Sequence, residues 1–334
     1  MLKNALRFFG FVVLMAGCGP ATPPANSQDK EPPPPLDEPS GARSTSTPES
    51  PEIQKGKSAL EAKDFAAART AFEAALARSP NDPIAMHYLG VALEGLGDTA
   101  GAEKQYRAAL AAKPDLTDAA VNLSALLIST NRFQDAVALL RPIVAHNPRD
   151  PMLHMNLAFA LLQTKDTDGA VKEYKAALSA GDNPVARLGL AQALIADGHP
   201  ADAVSVLQKM LASSPDSVEV VATIADLFRQ TESYADCVAA YDKAIAMKAA
   251  AELYAERGVC RRSLKDHAGA KADYLKATEL DPNYGPAWYL LGQHLWSVEK
   301  KKADAIKAFD QCAKVAPKSN CKHAADALRA GKSP

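Results

Sequence analysis

The sequence predicts an all-α chain, a stack of about eight helix pairs, on three observations. First, small residues recur at Gly56, Gly90, Ser124, Ala158, Ala191, Ala225, Gly258 and Gly292, in steps of 33 or 34 residues. A period of that length marks a helical solenoid. Second, a parallel series trails it by twelve or so residues: Ala68, Ala102, Ala136, Ala170, Ala203, Cys237, Ala270 and Ala305. Third, a ring or leucine stands four residues after each of these, at Phe72, Tyr106, Leu140, Tyr174, Leu207, Tyr241, Tyr274 and Phe309. Offsets of three and four fall on one helical face. Two helices approach closely only where facing side chains are small, so the small series marks their contact. No sustained alternation of the kind a strand needs is present.

The first fifty residues follow other rules. Lys3 and Arg7 precede an apolar run from Phe8 to Ala16, too short to span a bilayer and suited to a signal peptide over residues 1–17. The run ends in Leu14-Met15-Ala16-Gly17-Cys18, which resembles the bacterial lipobox. That resemblance implies lipidation of Cys18, although Met15 stands where leucine is usual. Each buried methylene contributes about 0.8 kcal/mol, so the two or three chains of a bacterial lipoprotein would anchor it firmly. Gly19 after the cysteine implies the outer membrane, facing the periplasm. The remaining stretch, 18–48, is rich in Pro, Ser, Thr and charge, including Pro32 to Pro35, and reads as a disordered tether. Fully extended it would reach roughly 90 Å, and as a coil about 30 Å.

The repeat units follow at 49–82, 83–116, 117–150, 151–183, 184–217, 218–250, 251–284 and 285–319. Pro80, Pro114, Pro148, Pro215, Pro282 and Pro317 close six of them, because proline cannot continue a helix but can begin one. Repeat 8 carries one extra residue near Lys300, Lys301 and Lys302. Residues 320–334 read as a capping helix and tail, which a solenoid needs at its exposed end. The segment "YLGVALEGLGDTAGAEKQYRAALAAKPD" and the later "AWYLLG" closely resemble the tetratricopeptide repeat. The resemblance runs over residues 49 to 319 and implies a right-handed superhelical solenoid that holds other proteins.

Net charge of −1 and a pI near 6.7 argue against a nucleic-acid partner. No metalloprotease, phosphate-loop or nucleophile-elbow motif is present, so neither an enzyme nor a cofactor is expected. Cys312, Cys321 and His323 supply three candidate metal ligands without an evident fourth nearby, and cap packing or a disulfide explains them better. Once Cys18 is lipidated, four cysteines remain and three pairings are open. Cys312 with Cys321 would staple the cap to repeat 8, and Cys237 with Cys260 would bridge repeats 6 and 7. Each would contribute about 2–3 kcal/mol. Unpaired thiols are the alternative, since Cys237 and Cys312 occupy places where alanine is normal.

The family resemblance further implies that the first helix of each pair lines a concave face. In the middle repeats that face would comprise Val121, Asn122 and Ile128; Met152, Met155, Asn156, Phe159 and Leu162; then Leu188, Gln192 and Ile195. This lining suits a hydrophobic or amphipathic protein segment. The same side chains could instead pack neighbouring first helices. Asn122 and Asn156 stand where some family members hold a peptide backbone. Further on the lining turns polar, with Glu219, Asp226, Arg229, Glu252, Glu256 and Arg262, then the aromatics Tyr289 and Trp296. The layout resembles pilotin-type and motility-associated lipoproteins, implying an envelope scaffold; a cell-wall- or polysaccharide-associated accessory is the other reading.

Overall fold

A computed structural model describes residues 50–334 apart from Ser214. The expected signal peptide, Cys18 and the tether lie outside the described residues. Among those described there are seventeen helices and no strand. They fall into two compact units, one ending at Thr164 and one beginning at Lys165.

The first unit holds α1 (Pro51–Glu61), α2 (Phe65–Arg78), α3 (Pro83–Gly95), α4 (Thr99–Ala112), α5 (Thr117–Ser129), α6 (Phe133–His146) and α7 (Pro151–Gln163). The second unit opens with α8 (Thr167–Ala180), α9 (Pro184–Ala196), α10 (Pro200–Ala212), α11 (Val218–Gln230) and α12 (Tyr234–Met247). It ends with α13 (Ala251–Ser263), α14 (His267–Leu280), α15 (Gly285–Ser297), α16 (Lys302–Val315) and α17 (Cys321–Arg329). Within each unit every helix packs on its sequence neighbours.

In four repeats the core is centred on a ring of the second helix set against a glycine of its first helix. Phe72, Tyr106, Leu140, Tyr174, Leu207, Tyr241, Tyr274 and Phe309 are all fully buried. A β-carbon placed on Gly90 would lie 2.5 Å from the Tyr106 ring, and one on Gly258 2.6 Å from Tyr274. No real carbon tolerates that distance, so glycine sets the spacing of these pairs.

Start signals come from short polar side chains. The carboxylates of Asp64, Asp98, Asp166 and Asp266 each accept a bond from the backbone N–H three residues on, opening a second helix. Asp82, Asp150 and Asn183 open first helices in the same way, each just before a proline. The turn from first to second helix passes through one left-handed residue in every pair: Lys63, Gly97, Asn131, Lys165, Gly198, Glu232, Lys265 and Lys300. That conformation lets the chain close a 6→1 bond, such as Asp98 N–H to the Leu93 carbonyl at 2.9 Å. Only two of the eight are glycine. The turn before α16 is one residue longer than that before α14, and Lys301 N–H reaches back to the Leu295 carbonyl.

α17 covers the last pair. Ala324, Ala325 and Leu328 are buried against Leu291, Leu295 and Phe309. A disulfide joins Cys312 of α16 to Cys321 of α17, with Cα atoms 5.7 Å apart.

Two outcomes follow from this packing. Gly90→Ala improves helix propensity yet forces the Tyr106 ring off its seat, so denaturant unfolding should show a net loss of about 1–3 kcal/mol. A β-carbon on Gly97 would meet nothing within 4 Å, so substitution there tests the backbone alone. Gly97→Val should cost about 1–2 kcal/mol, whereas Lys265→Gly should be neutral or stabilise by up to about 1 kcal/mol.

Candidate interaction surface

In the first unit the face expected to receive a partner is largely closed by its own contacts. Ile128, Met155, Asn156 and Phe159 are buried, while Val121, Asn122, Met152 and Leu162 are half-buried. The Phe159 ring stands edge-on to Phe133, centroids 6.2 Å apart. The two asparagine amides are engaged within the chain. Asn122 Nδ2 lies 2.9 Å from His87 Nε2, tying α5 to α3. Asn156 Nδ2 donates to Ser124 Oγ at 2.8 Å and to the Val121 carbonyl at 3.3 Å, tying α7 to α5. Burial holds the His87 imidazole below its usual pKa, which keeps it neutral beside the amide. Each amide thereby ties one first helix to the first helix before it. In the second unit Leu188 is buried, and Gln192 and Ile195 are half-buried.

The second unit replaces amides with charge. Tyr241 of α12 donates its hydroxyl to Asp226 Oδ1 of α11 at 2.9 Å, and Arg229 Nη2 donates to the same oxygen at 3.0 Å. Glu256 of α13 lies 3.9 Å from Arg229. Burial, and then the nearby Asp226 carboxylate, push Glu256 upward, with Arg229 offsetting part of the effect. A similar tyrosine–carboxylate bond joins Tyr106 to Glu94 in the first unit, at 2.9 Å. Tyr289 and Trp296 are half-buried on α15, and Gln293 donates to the Tyr289 hydroxyl at 2.9 Å.

One network was not singled out in the sequence. Asp273 of α14 is buried and gripped by Arg257 through two bonds of 3.0 and 2.6 Å, with Arg261 at 3.0 Å. Arg257 also reaches Asp242 of α12 and lies over the Tyr254 ring. Its sequence signal is Arg257 and Arg261, one helical turn apart on a face that also carries the core. A disulfide joins Cys237 of α12 to Cys260 of α13, Cα atoms 6.3 Å apart. Among the described residues no group of three or more His, Cys, Asp or Glu could hold a metal, and no helix is long and apolar enough to cross a membrane. Removing one partner of a buried ion pair leaves the other uncompensated. Asp273→Asn should therefore lower unfolding free energy by about 3 kcal/mol, and urea titration measures it.

Models of the tetratricopeptide repeat match residues 53–117, 93–158, 127–183, 161–227 and 251–284. Among curated proteins, cellulose synthase operon protein C of Xanthomonas axonopodis pv. citri (strain 306) is 31% identical over 210 residues, 60% of this chain and 14% of that protein. BBSome complex member bbs-4 of Caenorhabditis elegans is 27% identical over 129 residues, 38% of this chain and 28% of that protein. The chain thus spans less than a third of the length of the curated relatives it matches. A tetratricopeptide repeat protein from Parabacteroides merdae ATCC 43184 shares the fold, with a TM-score of 0.53 and 19% identity over 73% of this chain and 97% of that one. Five matches, together covering residues 53–227 and 251–284, leave one reading: the chain belongs to the tetratricopeptide repeat family, a fold of protein-interaction scaffolds.

Proposed function

We propose that this protein is a lipid-anchored scaffold of the bacterial envelope, facing the periplasm from the outer membrane and assisting assembly or stability of a pilus, secretin or motility complex. The observation that carries the proposal is the joining of a basic–apolar–cysteine start, ending at Cys18, to an array of protein-binding repeats. An anchor of this kind confines the array near a membrane client and raises its effective concentration there. The half-buried residues Met152, Leu162 and Val121 are apolar side chains of the first unit that such a partner would meet without unfolding the array.

A second reading, a cell-wall- or polysaccharide-associated accessory that works beside a separate enzyme, draws on the likeness to cellulose synthase operon protein C. Pull-down on purified murein or cellulose, set against solubilised envelope proteins, separates the two.

The test uses the full chain in intact bacteria. Radiolabelled palmitate should enter the wild type and not Cys18→Ala, which should leave the membrane fraction. A photo-crosslinking residue at Met152 should capture a discrete envelope protein. Met152→Ser with Leu162→Ser should reduce capture about tenfold, the equivalent of 1.4 kcal/mol, with circular dichroism unchanged. Equal membrane partition of Cys18→Ala removes the anchor from the proposal, and undiminished capture by the double variant removes the groove.

A further inference from the structure

The end of the second unit carries a charge that the rest of the unit does not. Residues 299–334 hold nine Lys and Arg against four Asp and Glu, whereas residues 165–298 hold fourteen against eighteen. The four acids of the basic segment are all neutralised in place. Glu299 is held by Lys271 and Lys301, each at 2.8 Å, and Asp304 by Lys307 at 3.1 Å. Arg329 takes Asp310 at 2.7 Å and Asp326 at 2.9 Å. Six lysines remain: Lys300, Lys302, Lys314, Lys318, Lys322 and Lys332. All six are exposed, and none forms an ion pair with a described residue. Lys300 donates instead to the Ser297 carbonyl at 2.9 Å.

Helix stability does not explain where these charges stand. In repeats 1, 2, 4 and 7 the second helix opens on an aspartate cap; before α16 that place is taken by Lys301, which makes no cap bond. Lys302 follows in the first turn of α16, and Lys322 stands in the first turn of α17. A lost cap and a cation at a helix N-terminus both destabilise the helix. Of the helical lysines in the set, only Lys314 suits its dipole, in the last turn of α16. The fold nonetheless holds the charges in place. The Cys312–Cys321 bridge closes the connection that carries Lys314 and Lys318, and Lys322 follows it directly. Within that connection Ser319 donates its hydroxyl to the Ala316 carbonyl at 2.6 Å. Cys321, Ala324, Ala325 and Leu328 turn inward, so Lys322 lies on the outward side of α17 with Asp326 and Arg329. Like charges fixed on one surface repel, and an opposing anionic surface relieves that repulsion.

We propose that this basic end, formed by α16, α17 and the connections beside them, docks on an anionic lipid bilayer. The lysines meet lipid phosphates, each strengthening the contact about fivefold. The exposed large apolar side chains of the second unit, Met247, Leu264, Leu275 and Leu280, all lie outside residues 299–334, so the attachment is electrostatic and reversible. The surplus of acids in residues 165–298 disfavours contact through the remainder of the unit. The choice of a bilayer over another polyanion rests on the reading of the chain as membrane-anchored. With Cys18 holding the start of the chain, the basic end supplies a second point of attachment.

The test uses the full chain as bacteria process it, with a fluorescent residue at the exposed Pro317, between Lys314 and Lys318. Vesicles of phosphatidylcholine, or of an equal mixture with phosphatidylglycerol, carry a quencher-bearing lipid. Flotation reads attachment of the chain, and quenching reads approach of its basic end. Quenching should occur on the mixed vesicles and not on phosphatidylcholine, and it should vanish at about 1 M salt, where the screening length falls to about 3 Å. Lys314→Gln, Lys318→Gln and Lys322→Gln together should weaken the contact about a hundredfold, with a thermal midpoint no lower than wild type. Equal quenching on both vesicles, none on either, or wild-type contact by the triple variant would overturn the docking. Tighter binding to soluble polyglutamate than to the mixed vesicles, at equal anionic charge, would assign the face to an acidic protein and overturn the bilayer. Flotation with both vesicles but no quenching keeps the anchor and removes the docking. Flotation with the mixed vesicles alone, with quenching, keeps the docking and removes the anchor.

Discussion

A ring of a second helix resting on a small residue of its first helix is the contact from which the rest of the architecture follows. It fixes how near the two helices lie, and hence where the next pair must start. Four repeats (Gly56, Gly90, Gly258 and Gly292) combine glycine with a phenyl or phenol ring, and in each a β-carbon would come within 2.8 Å of that ring. Where the large partner is leucine, as at Leu140 and Leu207, the small residue relaxes to Ser124 or Ala191. Large and small volumes trade against each other in these six repeats, whereas repeat 6 sets the Tyr241 ring opposite Ala225. Repeat 4 handles its tyrosine differently: the Tyr174 ring leans over Gly189, where an added carbon would lie 2.3 Å away.

That complementarity made the fold legible in the sequence. Volume alternates with a fixed period, and volume is a property of residue type. The turns are another matter. Six of the eight left-handed turn residues are lysine, asparagine or glutamate, and lysine and glutamate carry no signal for that conformation. They adopt it because the 6→1 bond and the packed helices on either side leave no other path. Tertiary packing settles a local conformation that propensity opposes. The same distinction applies to the inner face. The position of a residue in the repeat gives the side of the helix it occupies, but not how deep a neighbour buries it. Met155 and Phe159 are deep, Met152 and Leu162 shallower, and nothing in the one-dimensional pattern separates them. Asn122 and Asn156 carry the residue type that would hold a peptide, yet their amides are engaged with His87 and Ser124.

Repetition also supplies an internal control that a single-copy fold lacks. Each repeat shows how its neighbours could have satisfied the same polar atoms. Tyr106 and Tyr241 show what a second-helix hydroxyl does when an acid is available. Against them, the hydroxyls of Tyr174 and Tyr274 stand out as buried and without a partner among the described residues. A buried donor left open in one copy and closed in another is a difference that packing alone does not require.

The way each unit holds its first helices bears on what it can recognise. In the first unit neutral amides join α3, α5 and α7, and the half-buried apolar remainder includes Val121, Met152 and Leu162. In the second unit Arg257 spans α12, α13 and α14, and the Cys237–Cys260 bridge locks α12 to α13. Arg262 sits on that locked helix, two residues beyond Cys260. Covalent and ionic ties thus join α12, α13 and α14, where the first unit joins its first helices through neutral amides.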